Sequence, residues 1–391
     1  MIYLKADLKL TKEDTGNSGV ASVSATIIFR NLMGVLCDKT GPRYAMTMLM
    51  LITVSAVVGI MFVQDAIGLI ICRALISCGL ATFVASQFWQ PTMFASSIVG
   101  LANATAAGWG NLGGGVTQLL MPVVFVAIRK ASSSSDSLTW RPCFIVPAVM
   151  HITAALLAIS ARDMPDGNYG QLEKSGAKKK GNATEAIKFG WKNVNAWILV
   201  LTYGCCCGME LTMNNIASLY FQEYHDMPVV TAGMLSSLYG LMSLFARSIG
   251  GLMSDWADAR WGMRGRLWCL WIIQTLEGVA FVLRVRAKKG GVVVCVAIMV
   301  FFSLFVQAAE GASYGVVPLV SFEALGVVSG MIGADGNLRA VINARLWFRG
   351  HFETDADRVY GHLHHSCRRL VFLLVLPRVG CHVVQGRLPP L

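Results

Sequence analysis

The sequence ALISCGLATFVASQFWQPTMFASSIVGLANATAAGWGNLGGGVTQLLMPVVFVAI occupies residues 74–128 and has no charged side chain in its 55 residues. A helix needs about 20 apolar residues to cross a lipid bilayer, so this stretch predicts about two crossings. The whole chain of 391 residues is 55% hydrophobic and 14% charged, with a mean hydropathy of +0.57. Soluble domains have about 25% charged residues. The composition therefore predicts a membrane protein.

Similar apolar spans recur along most of the chain. Their Met- and Gly-rich runs lack the regular alternation of a membrane β-barrel, so the predicted fold class is all-α and polytopic. Ten spans predict helices at residues 16–36, 45–63, 67–90, 99–127, 142–160, 194–220, 228–252, 266–283, 291–318 and 323–347. A weaker eleventh span lies near residues 369–384.

The positive charges lie mainly between these spans. The net charge is +11 and the pI is near 9.2, but the basic residues do not form one face, which argues against a nucleic-acid partner and leaves the lipid bilayer. Segment 161–192 is the longest polar linker, with seven Lys or Arg residues against four acids. Cytoplasmic loops are enriched in Lys and Arg, so we expect this linker to be cytoplasmic.

Two motifs occur twice, in the same order. Internal repeats of this kind are typical of transporters whose substrate site lies between the repeats. The copies are 217 and 226 residues apart: Arg30-x3-Gly34-x3-Asp38 recurs as Arg247-x3-Gly251-x3-Asp255, and Gly110-Asn111-Leu112 recurs as Gly336-Asn337-Leu338. The chain is therefore predicted to consist of two homologous halves around the basic linker.

The repeat predicts how the chain is divided. An N-terminal transmembrane bundle at 1–160 and a C-terminal bundle at 193–349 flank the cytoplasmic linker at 161–192. Applied to the span at 194–220, the offset predicts a first helix before Met1 that is missing here. Applied to 142–160, it predicts a last helix near 368–386, where we expect a degraded helix in an aberrant tail at 350–391.

The two repeated arginines are candidate substrate-binding residues. Arg30 and Arg247 each lie eight residues before an aspartate that marks a helix end, which is about 12 Å along a helix and close to the middle of the hydrocarbon core. An arginine at that depth costs at least about 2.5 kcal/mol. The functional interpretation is that the pair binds an anion between the halves, since a guanidinium suits planar oxyanions. The alternative is that each arginine pairs with an acid or with backbone carbonyls.

Glycines surround the repeated asparagine. A row of glycines in a membrane helix permits close approach of a neighbouring helix, whereas Asn111 and Asn337 supply amides for a site or a gate. Pure helix packing is the alternative for the glycines. The candidate gating or packing glycines are Gly108, Gly110, Gly113, Gly114 and Gly115, with Gly333 and Gly336 in the second copy.

These motifs resemble those of a known family. Residues 106–115 look like the nitrate signature of the nitrate/nitrite porter family of the major facilitator superfamily, and residues 326–337 look like its second copy. Residues 34–43 resemble the superfamily's conformational loop motif, with Gly34, Asp38 and Arg43, and Gly251 and Asp255 as its repeat. Residues 101–105, 208–213 and 314–318 resemble the eukaryotic high-affinity branch. The likeness covers roughly residues 3 to 355.

The resemblance implies the superfamily fold of two pseudo-symmetric helical bundles, with about ten or eleven of its twelve helices present. It implies a multi-pass plasma-membrane protein that carries nitrate, and often nitrite, with protons. The family's substrate arginines fall on Arg30 and Arg247, its signature asparagines on Asn111 and Asn337, and an anion-contacting aromatic on Tyr203. Some members use an accessory membrane protein. This chain departs from the pattern at Asp335 and Arg339, where glycines are usual.

Proton coupling requires a titratable group or the field of the substrate itself. Glu210, Glu277 and Glu310 lie in or near apolar spans, and Glu210 is selected because it lies seven residues from Tyr203, on nearly the same helix face. Two alternatives to proton-coupled nitrate transport by alternating access stay open. One is transport of another small anion, and the other is a non-transporting sensor or inactive truncated paralogue. No nucleophile, metal or cofactor constellation is visible, so we expect no enzyme and no cofactor.

Overall fold

The computed structural model describes residues 4, 7–132, 139–175, 183–286, 291–320 and 324–348. The described residues form fourteen α-helices and no β-strand. The helices are α1 (Lys12–Thr40), α2 (Pro42–Gly59), α3 (Ala66–Cys78), α4 (Thr82–Met93), α5 (Val99–Ser132), α6 (Ile145–Ser160), α7 (Tyr169–Lys174), α8 (Ala183–Lys192), α9 (Val194–Tyr224), α10 (Val229–Leu241), α11 (Ser243–Trp261), α12 (Met263–Arg286), α13 (Val292–Val320) and α14 (Leu325–Phe348).

Each of the ten predicted spans coincides with helix, and the all-α polytopic prediction is confirmed. One 3₁₀ turn at Gly79–Ala81 joins α3 to α4, so that the pair covers the span predicted at 67–90. The predicted linker also contains two short helices, α7 and α8. The proposed tail at 350–391 and the span near 369–384 lie outside the described residues.

Six segments of the described chain are long and apolar enough to cross a membrane. They are Asn17–Thr40, Pro42–Phe62, Ala66–Met93, Pro142–Ser160, Val194–Asn214 and Val292–Val320. Large apolar side chains face outward along such helices, for example Val293 at 81% exposure and Phe62 at 73%. An apolar outer surface of this kind suits contact with lipid, because lipid tails cannot hydrogen-bond to polar groups.

Local sequence determines several helix boundaries. Gly41, with φ of +85°, ends α1, and Pro42 begins α2 with its fixed φ at the first helical position. Asp65 caps α3 by accepting a hydrogen bond from the Gly68 amide. These caps make the two turns short, so α1, α2 and α3 pack side by side.

Two helix pairs make the most extensive contacts between the repeated halves, and they are related by the repeat. α1 packs on α14, and α11 packs on α5. Gly34 approaches the Gly326 carbonyl so closely that a Cβ there would overlap it, and Gly251 approaches the Gly100 carbonyl in the same way. These pairs are again separated by 217 and 226 residues, so the packing follows the symmetry of the sequence.

We predict that Gly34→Ala lowers the free energy of unfolding by about 1–3 kcal/mol, because the added methyl group overlaps fixed backbone atoms. Thermal unfolding in detergent measures the change. Gly233→Ala is the matched control: no neighbouring atom of the described residues lies within 4 Å of a Cβ at that position, and alanine favours the helix. Equal midpoints for the two variants would contradict the close packing of α1 on α14.

Candidate substrate site

Arg247 of α11 lies at the centre of a buried polar cluster. Its side chain is fully buried, and removing a guanidinium from water costs several kcal/mol unless it is paired. Its Nη2 donates to Oε2 of Glu210 at 2.6 Å and also contacts Oε2 of Glu310, while its Nε donates to Oε1 of Gln307 at 2.7 Å. Two acids and an amide from two other helices therefore hold this arginine.

Glu210 of α9 links this cluster to α5. Its carboxylate accepts hydrogen bonds from Nδ2 of Asn111 at 3.1 and 3.3 Å and from Nε2 of Gln307 at 2.7 Å, in addition to the bond from Arg247. Asn111 of the first half thus reaches Arg247 of the second half through one acid. Cys207, Glu210 and Glu310 together have the donor types of a metal site, but the Arg247 guanidinium already contacts Oε2 of both carboxylates.

Arg30 of α1 has different partners. Its Nη1 donates to the Gly333 carbonyl at 2.5 Å, and its guanidinium carbon lies 5.0 Å from the ring centre of Phe83. Asn337 donates to the same carbonyl at 3.1 Å. A Cβ at Gly333 would lie 3.1 Å from the arginine side chain, so a larger residue would crowd it. No acid pairs with Arg30 among the described residues.

A row of aromatic rings joins the two arginines. Phe83, which Arg30 covers, meets Tyr314 edge-on at 5.4 Å, and Tyr314 meets Tyr203 edge-on at 5.0 Å. The Tyr203 hydroxyl lies 3.5 Å from Oε2 of Glu310, which contacts Arg247. Tyr203, Arg30 and Arg247 therefore belong to one connected site.

Each arginine keeps an unused donor. Nε of Arg30 and Nη1 of Arg247 are buried and have no hydrogen-bond partner within the described chain. Buried polar groups are nearly always hydrogen-bonded, so two unsatisfied guanidinium donors in one site suit an acceptor such as a small oxyanion.

The glycine row is only partly explained by helix packing. Gly108 lies against the Ser243 backbone and Gly115 against Leu241. At Gly110, Gly113 and Gly114, a Cβ would have no described neighbouring atom within 4 Å. In the second copy, Gly336 packs on Cys207. Helix packing therefore explains four of the candidate glycines, namely Gly108, Gly115, Gly333 and Gly336. It does not explain the other three.

The repeated aspartates hold the two halves together at one end. Asp38 accepts hydrogen bonds from the amides of Gly326 and Val327 at the start of α14, both at 3.2 Å. Asp255 accepts from the amides of Gly100 and Leu101 at the start of α5, at 3.0 and 2.7 Å. The first turn of a helix has unpaired N–H groups and a partial positive charge, so each carboxylate stabilises a helix of the opposite half.

Two arginines near this end contact acids: Arg266 contacts the repeated Asp255, and Arg43 contacts a different acid, Asp163. Arg266 of α12 forms ion pairs with Asp255 at 2.6 Å and with Asp258 at 3.0 Å. In the first half, Arg43 lies near Asp163, whose carboxylate accepts from the Arg43 amide at 3.1 Å and from the Tyr169 amide at 3.2 Å. Burial raises the pKa of Tyr169, and the nearby carboxylates raise it further, so its phenol stays neutral.

The two departures from the family pattern neutralise each other. Asp335 and Arg339 of α14 form an ion pair at 2.8 Å. They face α9 at Gly204 and Gly208, where side chains would overlap the carboxylate of Asp335 and the Cβ of Arg339. Two glycines of the opposite helix thus provide the space that the two larger side chains occupy.

Comparison with known proteins places this geometry in a family. The profile of the Major Facilitator Superfamily matches residues 1–342. High-affinity nitrate transporter 2.3 of Oryza sativa subsp. japonica is 41% identical over 387 residues, which cover 98% of this chain and 75% of the relative. Nitrate transporter 2.2 of Chlamydomonas reinhardtii is 42% identical over 350 residues, or 89% of this chain and 68% of the relative. This chain belongs to the nitrate transporter family of the major facilitator superfamily.

Solved structures agree with the superfamily fold. A proton:xylose symporter of the superfamily has a TM-score of 0.69 at 16% identity, covering 96% of this chain and 90% of that one. A bacterial homologue of the iron transporter ferroportin, in an outward-facing state, has a TM-score of 0.66 at 14% identity, covering 96% of this chain and 91% of that one. The chain is therefore a multi-pass membrane protein of transporter type, and the expectation that it is not an enzyme is confirmed by its relatives.

Within this superfamily fold, the sequence motifs identify the arginines but not all of their partners. Gln307 and Phe83 belong to no repeated motif, and the spacing from Tyr203 favours Glu210 over Glu310. One signal does point to Glu310: it is the single charged residue of α13, and an isolated charge in an apolar helix needs a partner.

We predict that Gly204→Ala destabilises the protein by about 1–3 kcal/mol, because the new methyl group overlaps Asp335. The same substitution in an Asp335→Gly, Arg339→Gly background is expected to cost little, since the overlapping atoms are gone. Thermal unfolding of the four proteins gives the coupling directly. An equal loss in both backgrounds would rule out this contact.

Proposed function

We propose that this chain is a secondary active transporter that moves nitrate together with protons across the plasma membrane. Two relatives named as nitrate transporters are 41% and 42% identical to it, which supports the substrate. The observation that carries the proposal is the buried pair Arg30 and Arg247, each with an unpaired guanidinium donor within the described chain. Nitrite is a second anion of similar chemistry that the same pair could hold.

The chemistry of the site suits nitrate. A guanidinium is planar and permanently charged, and its donors match planar oxyanions. Arg247 is offset by acids, whereas the described partners of Arg30 are a carbonyl and a ring, so Arg30 supplies positive charge for the anion. Asn111, Asn337 and Tyr203 complete the proposed binding site around the two arginines.

We propose that transport proceeds by alternating access. The bundles 1–160 and 193–349 would rock against each other about the anion, joined by the linker 161–192 on the cytoplasmic side. Asp38 and Asp255 hold the halves together at one end, which the basic linker places at the cytoplasm in this proposal. Opening that end requires both carboxylates to release the helix termini they cap.

Proton coupling is assigned to Glu210. This acid contacts Arg247 and Asn111 directly, so a change in its charge alters the strength with which the site holds an anion. An accessory membrane protein is a further proposed partner, by analogy with members of the family.

We predict that Arg30→Ala and Arg247→Ala each lower saturable uptake of labelled nitrate at least about thirtyfold, because losing a charged donor to a buried anion costs about 2 kcal/mol or more. Lysine at either position is expected to recover little, since an ammonium lacks the planar fork. Uptake is measured in cells that lack endogenous nitrate transport, with surface protein quantified in parallel.

Arg260→Lys is the matched control, because Arg260 is an exposed arginine of α11 that stacks on Trp256. Its uptake should equal that of the unchanged protein. Normal uptake by either alanine variant would disprove the arginine clamp. Absence of uptake by the unchanged protein, despite its presence at the membrane, would favour the sensor or inactive alternative.

Competition distinguishes nitrate from other small anions. We expect unlabelled nitrate to displace labelled nitrate at lower concentration than nitrite or chlorate does, because nitrate presents three oxygens in one plane to the planar guanidinium groups, whereas nitrite has two oxygens and chlorate is pyramidal. A stronger effect of chlorate or nitrite would instead identify that anion as the preferred substrate.

A further inference from the structure

Two acids share one arginine in the centre of the site. Glu210 of α9 and Glu310 of α13 both contact Nη2 of Arg247 through their Oε2 atoms. Both carboxyl groups are buried, each with 1% exposure. An oxygen of each lies within 4.8 Å of the other and of Cys207 Sγ, and a side-chain hydrogen bond links Glu310 to Glu210.

The charges in this cluster do not balance when both acids are ionised. Two carboxylates and one guanidinium leave one negative charge in a buried site, where an unpaired charge is costly. One proton held between the two carboxyl groups removes the imbalance, as in other pairs of buried acids in contact. Oε1 of Glu310 has no partner within the described chain, so it is a position at which such a proton can reside.

Among the described groups in direct contact with the two acids, Arg247 is the only cation. Neighbouring ionisable groups on α9 are Tyr203 and Cys207, α13 adds Tyr314, and α12 adds Glu277. Each of these groups is neutral or negative in its ordinary states. Arg30 of α1 is the second cation of the site. The aromatic rings of Phe83, Tyr314 and Tyr203 lie between it and the acids. From α5 and α13, Asn111 and Gln307 contribute neutral amides only.

We propose that Glu310 and Glu210 form a shared proton site that competes with the anion for Arg247, and that Glu310 is the second proton-coupling residue. This inference rests on the proposed transport of nitrate. In the anion-free site, one proton lies between the carboxyl groups and the remaining carboxylate occupies Nη2. Uptake of a second proton leaves both acids neutral and releases Nη2 for the anion.

The proton balance of the cycle follows from this competition. One proton enters from the compartment that supplies the anion and converts the remaining carboxylate into a carboxylic acid, with no other bond made or broken. The anion then takes the position of that carboxylate on the guanidinium, next to the donor Nη1 that was already unpaired. On the opposite side the anion leaves, the carboxylate returns to Arg247, and the proton is released to water. One anion and one proton therefore move together.

The first test measures protons in the unchanged protein. Purified full chain in weakly buffered detergent solution with a pH indicator is mixed with sodium nitrate, and nitrate binding is measured by calorimetry. We expect uptake of about one proton per bound nitrate, and a nitrate affinity that falls about tenfold per pH unit in the alkaline range, as expected for one linked proton. Nitrate binding without proton uptake would overturn the shared proton site while leaving the proposed transport of nitrate by alternating access intact.

The second test uses variants in proteoliposomes. In Glu210→Gln the amide stands for a permanently neutral acid and Glu310 is left to bind the coupled proton, so we expect the tenfold pH dependence of nitrate affinity to persist. In the double variant Glu210→Gln, Glu310→Gln neither acid can bind a proton, so we expect the pH dependence to fall to less than about twofold per pH unit. Counterflow of labelled nitrate should persist, whereas accumulation driven by a pH gradient should disappear. Glu277→Gln is the control, because Glu277 is buried nearby on α12 and is not one of the two acids that pair with Arg247; it should retain the tenfold dependence.

The outcomes separate the two proposals. Loss of the pH dependence in Glu210→Gln alone would overturn the role of Glu310, and gradient-driven accumulation by the double variant at the level of the unchanged protein would overturn the shared proton site. Should this variant fail to fold, the proton measurement on the unchanged protein still decides the question. Absence of nitrate binding or counterflow in the unchanged protein would instead refute the proposed function itself.

Discussion

The burial of Arg247 is the constraint on which the rest of the site depends. A guanidinium inside apolar helices costs several kcal/mol unless partners surround it. Those partners come from three other helices: Glu210 from α9, Glu310 and Gln307 from α13, and Asn111 from α5 by way of Glu210. A single charge thus determines which faces of four helices meet, and the glycines around it allow the backbones to come close enough.

The two arginines are related in sequence but differ in chemistry. Arg247 is held by acids, and Arg30 is held by the Gly333 carbonyl and the Phe83 ring. Carbonyls and rings stabilise a cation without cancelling its charge, so the first half stays electropositive. The charge of the second half depends on how many protons its acids hold. A symmetrical scaffold therefore combines a fixed positive group with a titratable one.

The sequence predicted those features that depend on order and spacing along the chain. The offsets of 217 and 226 residues predicted two homologous halves, and the contacts of Asp38 with α14 and of Asp255 with α5 follow the same offsets, because a repeat of the chain repeats its contacts. The partners of Arg247 were harder to predict from the sequence. Whether Glu210, Glu277 or Glu310 faces Arg247 depends on how each helix is rotated and on which helices pack together. The packing of Asp335 and Arg339 against Gly204 and Gly208 could not be predicted from the sequence either, because no motif relates the two helices that carry these residues.

The anion site and the contacts that close one end lie on the same helices. Arg30 and Asp38 are both on α1, and Arg247 and Asp255 are both on α11, eight residues apart in each case, which is about 12 Å along a continuous helix. A helix of this length moves as a rigid body, so a displacement of the arginine on binding an anion also displaces the aspartate. Each aspartate caps a helix of the opposite half, and those helices carry Asn111 and Asn337. In the proposed transport cycle, anion binding and the opening of that end are therefore linked through the two matched helices α1 and α11.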